Sequence, residues 1–468
     1  MDFGPRTPDF GLRTLFCSFT FKIITMQLRI VISLSVVFLA IGLFAQNEPY
    51  TERQIRIYDE IGENLAIIKN SGRDYVLPMD INWNYYYLTG DESEGAILLM
   101  NGRTKTSTIY KTQAEYRRRM PDNEANNLKD LKDFNSDLML QLGRTKTLWI
   151  DYSSMVNLEE LGQRMQNLES INNLAPIIHN MRKIKDEHEM ELLSYAIETT
   201  AAGLREVMKA AEPGMNEKDF ELILKYKFQK ADCEHLGFGI QAASGPNATH
   251  VHYGNNDRQT EKGDMMVFDV GARFAYYTAD ISRSFPVSGK FTKEQKEIYG
   301  LVLKAQKAAI NTMKKGVNIQ IPANNALDVL NQGLFELGLI TDSNSGWQKR
   351  FWIQHGFFHH IGLVVHDVGG YGGILEPGMI ITMEPGLYFP ADYLESATRR
   401  FSRSVDSAEI DEFIKKVKPI FNKYINIGVR IEDDVYITEN GNKVISKGVP
   451  KEIDEIEKLM KETSLFNN

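Results

Sequence analysis

Four of the chain's nine histidines fall within thirteen positions, His355-Gly356-Phe357-Phe358-His359-His360-Ile361-Gly362-Leu363-Val364-Val365-His366-Asp367. A lone histidine is most often a satisfied core or surface residue, but a set this dense beside strand-edge carboxylates points to metal or proton chemistry. The carboxylates come from three further places. Asp269 and Asp280 read as lying on opposite arms of one hairpin, each at the polar edge of an otherwise apolar strand. Glu384 ends the apolar run Met379 to Met383, and Pro385-Gly386 turns the chain just after it. Gly428-Val429-Arg430-Ile431-Glu432-Asp433-Asp434-Val435 again sets an acid inside a strand-like stretch. A buried carboxylate is costly unless it is paired or bound to a metal. Taken singly, either aspartate reads as a turn or cap residue; the histidine and glutamate clusters shift the balance towards a site.

These residues need elements to hold them. Met265 to Val270 reads as a buried strand, and Gly271-Ala272-Arg273 turns into a second, Phe274 to Asp280. A long helix begins at Ile184, with apolar positions Leu193, Ala196, Ile197, Leu204 and Val207 at helical spacing, and Glu212-Pro213-Gly214 stops it. Asn216 reads as the N-cap of a second helix. Thr292-Lys293-Glu294-Gln295 has capping-box spacing and opens a helix carrying Ile298, Val302, Ala305, Ala309 and Met313, closed by Gly316. This half therefore reads as α+β with mostly antiparallel strands. Residues 50–180 alternate strands and helices as a smaller α/β domain would. Arg53 to Lys69 reads as a helix, and Trp83 to Gly90, Ala96 to Met100 and Thr147 to Asp151 read as strands.

A chain of 468 residues exceeds one ordinary core, so two domains are expected. With 43% hydrophobic and 25% charged residues, the composition is that of a globular protein. The net charge of −8 and the lack of a Lys/Arg block exclude nucleic acid as a partner. Met26-Gln27-Leu28-Arg29, the apolar run Ile30 to Phe44 and Ala45-Gln46 read as an export signal. On this reading residues 1–25 are an over-extended start, Met26 is the initiator, and the mature protein begins near Gln46. It would be periplasmic or secreted, with no stable membrane span once the signal is cleaved. Cys17 would then lie outside the mature chain, leaving Cys233 without an internal disulfide partner. The expected organisation is a signal region at 1–45, an N-terminal domain at 46–180 and a catalytic domain at 181–468.

From about Met181 to Ile445 the chain resembles the M24 metallopeptidases of the pita-bread fold, in their Xaa-Pro aminopeptidase and prolidase branch. A weaker resemblance, through Tyr86-Tyr87-Leu88-Thr89-Gly90, extends into the N-terminal domain. The resemblance implies five metal ligands: Asp269; Asp280, eleven residues on; His359 in His355-Gly-x-x-His359; Glu384 in Glu-Pro-Gly; and Glu432 in Arg-Ile-Glu-Asp. It also implies that His252, in Val251-His252-Tyr253-Gly254, and His366 contact substrate and stabilise the tetrahedral intermediate. By the same resemblance Glu384 shuttles a proton to the leaving nitrogen, His355 lines the pocket that receives proline, and Arg430 orients acidic ligands. Four carboxylates and one imidazole balance two divalent ions, Mn²⁺ above all, with Co²⁺, Fe²⁺ or Zn²⁺ also suited. A water bridging two such ions is acidified into a nucleophile.

The implied activity is removal of an N-terminal residue ahead of proline. Prolidase action on dipeptides is the alternative, and a non-catalytic pita-bread binding protein is the reading from another class. A metal-free hydrolase of creatinase type conflicts with Asp269, Asp280 and Glu432. The resemblance further implies a homo-oligomer, dimer or tetramer. Residues 391–424 form a charged insertion between two ligand-bearing segments, including Arg399-Arg400-Phe401-Ser402-Arg403 and a helix from Glu409 to Asn422. Insertions of this size in a compact domain are usually functional, and a lid or rim over the cleft is expected. His360 stands where relatives often carry an aromatic or apolar residue, and is expected to face away from the metals.

Overall fold

In a computed structural model of the chain, residues 49–72, 74, 77, 80–112, 126–154, 165 and 167–467 are described. The expected export signal lies outside them. No helix among the described residues is long and apolar enough to cross a membrane. The chain forms two compact units: Met1–Ile68 with Tyr85–Trp149 and Leu158–Ile171, and Lys69–Asn84 with Ile150–Asn157 and Asn172–Asn468.

The first unit is built on a six-stranded mixed sheet of β1 (Leu65–Lys69), β2 (Ile97–Asn101), β3 (Thr106–Lys111), β4 (Asn126–Asp130), β5 (Thr147–Ile150) and β6 (Ser170–Asn173), in the order β4-β3-β2-β1-β5-β6. β2 runs antiparallel to β3, and β3 parallel to β4. Two expectations fail here. The helix begun before Arg53 ends at residue 61, and Leu65–Lys69 is a strand. Gly62, at φ +58°, takes the left-handed conformation that ends helices, and the Asn64 side chain donates to the Ile61 carbonyl at 2.9 Å. The four consecutive buried residues Leu65 to Ile68 belong to an interior strand, whose pattern does not alternate. Conversely, Trp83–Thr89 is a helix. Its tyrosines favour strands by propensity, but the tertiary surroundings decide: Arg53 donates to the Tyr87 carbonyl at 2.9 Å and Gln54 to the Leu88 carbonyl at 2.8 Å, satisfying the open end of a helix. Gly90, at φ +65°, closes it by donating its N–H to the Tyr86 carbonyl at 2.8 Å.

The second unit is α+β. Its helices Glu187–Ala210, Glu217–Lys230 and Lys293–Ile310 each start in a capping box, made by Asp186 with Glu189, Asn216 with Asp219, and Thr292 with Gln295. Each such cap contributes about 1 kcal/mol. Helices Glu187–Ala210 and Glu217–Lys230 pack on each other, as do Lys293–Ile310 and Gln320–Glu336. Between them lie small, mostly antiparallel sheets.

The first of these contains β8 (Gln241–Ser244), β9 (Met265–Val270) and β12 (Ile281–Pro286), in the order β12-β9-β8. A second joins β13 (Ile380–Met383), β16 (Asp433–Thr438) and β17 (Gly441–Val444), and β14 (Gly386–Tyr388) pairs with β15 (Gly428–Arg430). The expected single strand from Phe274 to Asp280 is broken. β10 (Ala272–Phe274) and β11 (Tyr277–Thr278) form a tight hairpin over Ala275 and Tyr276, at φ +43° and +67°. Two successive left-handed residues make the primed turn that suits a hairpin, but Asn-Gly is its usual signal and Ala-Tyr hides it. β10 also pairs with β7 (His235–Leu236). Cys233, just before β7, is buried and free, and burial pushes its thiol up to about 11.

Candidate active site

The acids of the site sit at or beside strand ends. Asp269 is the next-to-last residue of β9. Asp280 directly precedes β12, which folds back so that Ser282 lies opposite Asp269 and Ile281 opposite Val270. The two aspartates therefore come from adjacent strands, although not from the arms of one simple hairpin. Glu384 and Glu432 share one break. β13 pairs with β16 up to Met383–Asp433, and β14 pairs with β15 from Gly386–Arg430. In the gap between these ladders, the chain frees Glu384 and Glu432 from strand pairing.

His359 lies on a segment stitched along β13. Thr382 Oγ1 accepts its backbone N–H at 3.0 Å, the Thr382 N–H donates to its carbonyl at 2.9 Å, and the Glu384 N–H donates to the Phe357 carbonyl at 2.9 Å. His359 Nδ1 lies 3.2 Å from the His360 carbonyl, an arrangement in which Nδ1 donates and Nε2 is left as the acceptor. Nε2 is 3.3 Å from Asp280 Oδ2, 3.7 Å from Glu384 Oε1 and 3.9 Å from Glu432 Oε1. One donor atom each from Asp280, His359 and Glu432 falls within 4.8 Å of the others.

All five expected ligands line one cavity of about 980 Å³, together with His252, His355, His366 and Arg430. Its apolar wall includes Phe238, Val251, Phe358, Val365 and Tyr371. The His366 and His359 rings lie 4.3 Å apart at 66°. His360 is buried away from this cavity, as expected, and His179, His188, His235 and His250 do not line it. No described residue of the insertion lines it either.

The electrostatics call for cations. Asp269 Oδ1, Asp280 Oδ1 and Glu432 Oε1 are buried with no hydrogen-bond partner. Burial, then the neighbouring Glu432, pushes the Asp280 carboxyl well above the usual carboxylate range. Burial and Glu432 do the same to Glu384, and burial and Asp269 push Glu432 up to about 8. Orphaned buried acid oxygens around a histidine are the donor set a divalent cation needs. Four carboxylates would be neutralised by two such ions. Burial, helped by the neighbouring His366, pulls the His359 imidazole down to about 4, so it is in the neutral form a ligand requires.

Arg430 connects the parts. It donates to Asp269 Oδ2 at 2.6 Å, Ser282 Oγ at 2.8 Å, Tyr388 Oη at 2.9 Å and the Val251 carbonyl at 3.1 Å. Tyr388 Oη lies 2.9 Å from His355 Nε2, and His355 Nδ1 is 3.5 Å from Glu384 Oε2. Burial and Arg430 hold His355 down to about 3. Ser282 completes the arrangement by donating to Glu432 Oε2 at 2.8 Å, and the Asp280 N–H donates to Asp434 Oδ2 at 3.3 Å. Sequence reasoning assigned no role to Ser282, Tyr388 or Asp434. The period of two along a strand would have found Ser282, two residues from Asp280 and on the same face.

Residues 191–439 match the model of Metallopeptidase family M24. The chain is 32% identical over 446 residues to a Xaa-Pro aminopeptidase of Haemophilus influenzae, covering 88% of this chain and 97% of that one. It is 34% identical over 319 residues to a Xaa-Pro dipeptidase of Rattus norvegicus, covering 62% of this chain and 63% of the relative. Zinc-substituted Escherichia coli aminopeptidase P in complex with product superposes with a TM-score of 0.76 at 26% identity, over 89% of this chain and 98% of that one.

Proposed function

The chain belongs to metallopeptidase family M24, and from that premise we propose that it is a two-metal aminopeptidase removing the residue ahead of proline from the N-terminus of peptides. The observation that carries this reading is the convergence of orphaned buried acid oxygens on His359 Nε2 in one cavity. Asp269, Asp280, His359, Glu384 and Glu432 are the residues that would hold the ions. When bound, two divalent ions supply a Lewis acid for the scissile carbonyl and lower the pKa of a water nucleophile. The oxygen-rich donor set favours Mn²⁺, with Co²⁺, Fe²⁺ or Zn²⁺ also accommodated.

The chain's own residues do the rest. Glu384 takes the proton of the attacking water and delivers it to the proline nitrogen as the bond breaks. His252 and His366, on the cavity wall, donate to the carbonyl oxygen as it gains charge. An imide bond to proline offers no N–H, so recognition rests on packing the ring against apolar wall and against His355, which Tyr388 holds. Arg430 orients Asp269 through its 2.6 Å hydrogen bond to Oδ2.

The decisive assay offers Xaa-Pro-Yaa peptides and Xaa-Pro dipeptides with and without a chelator. Cleavage that survives chelation would sink the two-metal reading. Cleavage of dipeptides alone would replace it by dipeptidase action, the activity named for the Rattus norvegicus relative. The hydropathy pattern of Met26 to Gln46 supports export to the periplasm or medium, checked by sequencing the mature N-terminus. The reading includes a homodimer or homotetramer, checked by light scattering.

A further inference from the structure

A second hollow of about 430 Å³ adjoins the catalytic cavity and shares His355, Gly356, Phe358 and Tyr371 with it. Three elements that the chemistry does not use build its outer wall. The helix Gln320–Glu336 supplies Gln320 and Asn324, the helix Gly346–Phe351 supplies Arg350, and the inserted helix Tyr393–Phe401 supplies Arg400.

The inserted helices are anchored and do not hang free. Trp347 and Phe351 pack against Phe401 and Phe413, and Trp352 packs against Tyr393 and Phe421. Trp347 Nε1 also donates to Glu409 at 2.7 Å. Arg400 is steadied at the rim by its Nη2 bond to the Ile353 carbonyl at 3.0 Å and by stacking 5.2 Å from the centre of the Phe401 ring.

Two arginines thus line one hollow, and among the described residues none that lines it is acidic. Among the described residues no carboxylate pairs with Arg350 or Arg400. In a chain of net charge −8, two arginines gathered without a counter-ion beside an active site are placed to receive an anion.

We propose that this hollow is a subsite for the part of the peptide beyond proline, where Arg350 and Arg400 bind a carboxylate. This rests on the proline-directed peptidase reading and deepens it. The carboxylate comes either from the free C-terminus of a short peptide or from an acidic side chain of a longer one. The insertion then sets which peptides are preferred, from beside the catalytic cavity and without covering it.

The test compares kcat/KM for Ala-Pro-Ala against Ala-Pro-Ala amide, and for Ala-Pro-Glu-Ala amide against Ala-Pro-Gln-Ala amide. The wild-type protein is expected to favour the charged member of one pair by about tenfold, mostly through KM, since charge-assisted hydrogen bonds of this kind are worth about that factor. The pair that shows the preference identifies the source of the carboxylate. In the double variant Arg350→Gln/Arg400→Gln the ratio falls towards one, and in Arg350→Lys/Arg400→Lys part of it returns. High salt also lowers the wild-type ratio. A wild-type protein that cleaves every peptide without preference overturns the subsite alone. So does a double variant that keeps the preference, or one that loses charged and uncharged peptides equally. Failure to cleave any of the four overturns the proline-directed reading, and the subsite with it.

Discussion

Glu432 and Asp433 are neighbours in the chain, and both are almost wholly buried. Glu432 faces other acids: Asp280, Asp269 and Glu384 share its cavity, and its Oε1 has no partner. Asp433, on β16, is caged by donors. Arg283 and Ser446 each reach Oδ1 at 2.7 Å, and Gln306 donates to Oδ2 at 3.1 Å, where Lys451 also pairs. Burial alone would raise both carboxyls. It pushes Glu432 up to about 8, whereas Arg283 and Lys451 outweigh it at Asp433 and hold that group below the usual range. One acid is paid for inside the protein, and the other is left for something brought from outside. Burial is common to both, so the partner set separates structure from function here.

Substitution should divide the two regions most sharply. Asp280→Asn removes a candidate ligand, and turnover is expected to fall about 10³-fold or more, as the Lewis-acid and nucleophile-generating roles fail together. Metal per folded chain, measured by elemental analysis, should fall too. Full activity would break the ligand assignment. Arg283→Met strips Asp433 of its main counter-charge and should cost about 3–5 kcal/mol of stability, read by urea denaturation, because an unpaired charge is left buried. A stable Arg283→Met protein would mean that Lys451 suffices.

Acidity should move the two regions in opposite directions. In chelated protein the site acids, whose folded pKa values are raised, bind more protons folded than unfolded. Their contribution is full at low pH and is lost as pH rises towards about 8. Asp433, with a depressed value, contributes above the ordinary carboxylate range and loses that contribution as pH falls below about 4. The chelated protein should therefore melt several degrees lower at about pH 8.5 than at about pH 6, with added Mn²⁺ restoring it. A flat melting profile would remove the contrast. The smallest effect expected is that of Ser282→Ala, which deletes a donor to Glu432 and should weaken metal binding about tenfold by titration.

The site was more legible in sequence than the fold around it. Metal-binding chemistry demands particular side chains, so Asp269, Asp280, His359, Glu384 and Glu432 stand out as letters, and the cavity contains all five. Helices announced by caps, at Asn216 and Thr292, were equally readable because a cap is a local bond. What stayed hidden depends on the rest of the fold. The aromatic run Trp83–Thr89 is helical in a setting where the distant Arg53 and Gln54 side chains satisfy its last-turn carbonyls, and the turn at Ala275-Tyr276 uses left-handed residues without a glycine to mark it. Ser282 and Tyr388 are ordinary residues drawn into the site by the strand pairing that brings Arg430 to them. The insertion's aromatic packing and the placement of Arg400 were likewise beyond any local pattern.

Cys233, the one cysteine among the described residues, is buried with its thiol pushed up to about 11. Such a thiol is silent to alkylating reagents in the closed molecule and becomes reactive only when the segment joining the helix Glu217–Lys230 to the sheet of β8, β9 and β12 opens. The native chain thus carries its own clock for that opening. Labelling rates taken with and without Mn²⁺ would report how tightly an ion locks the scaffold behind Asp269, with no engineered probe and no substrate.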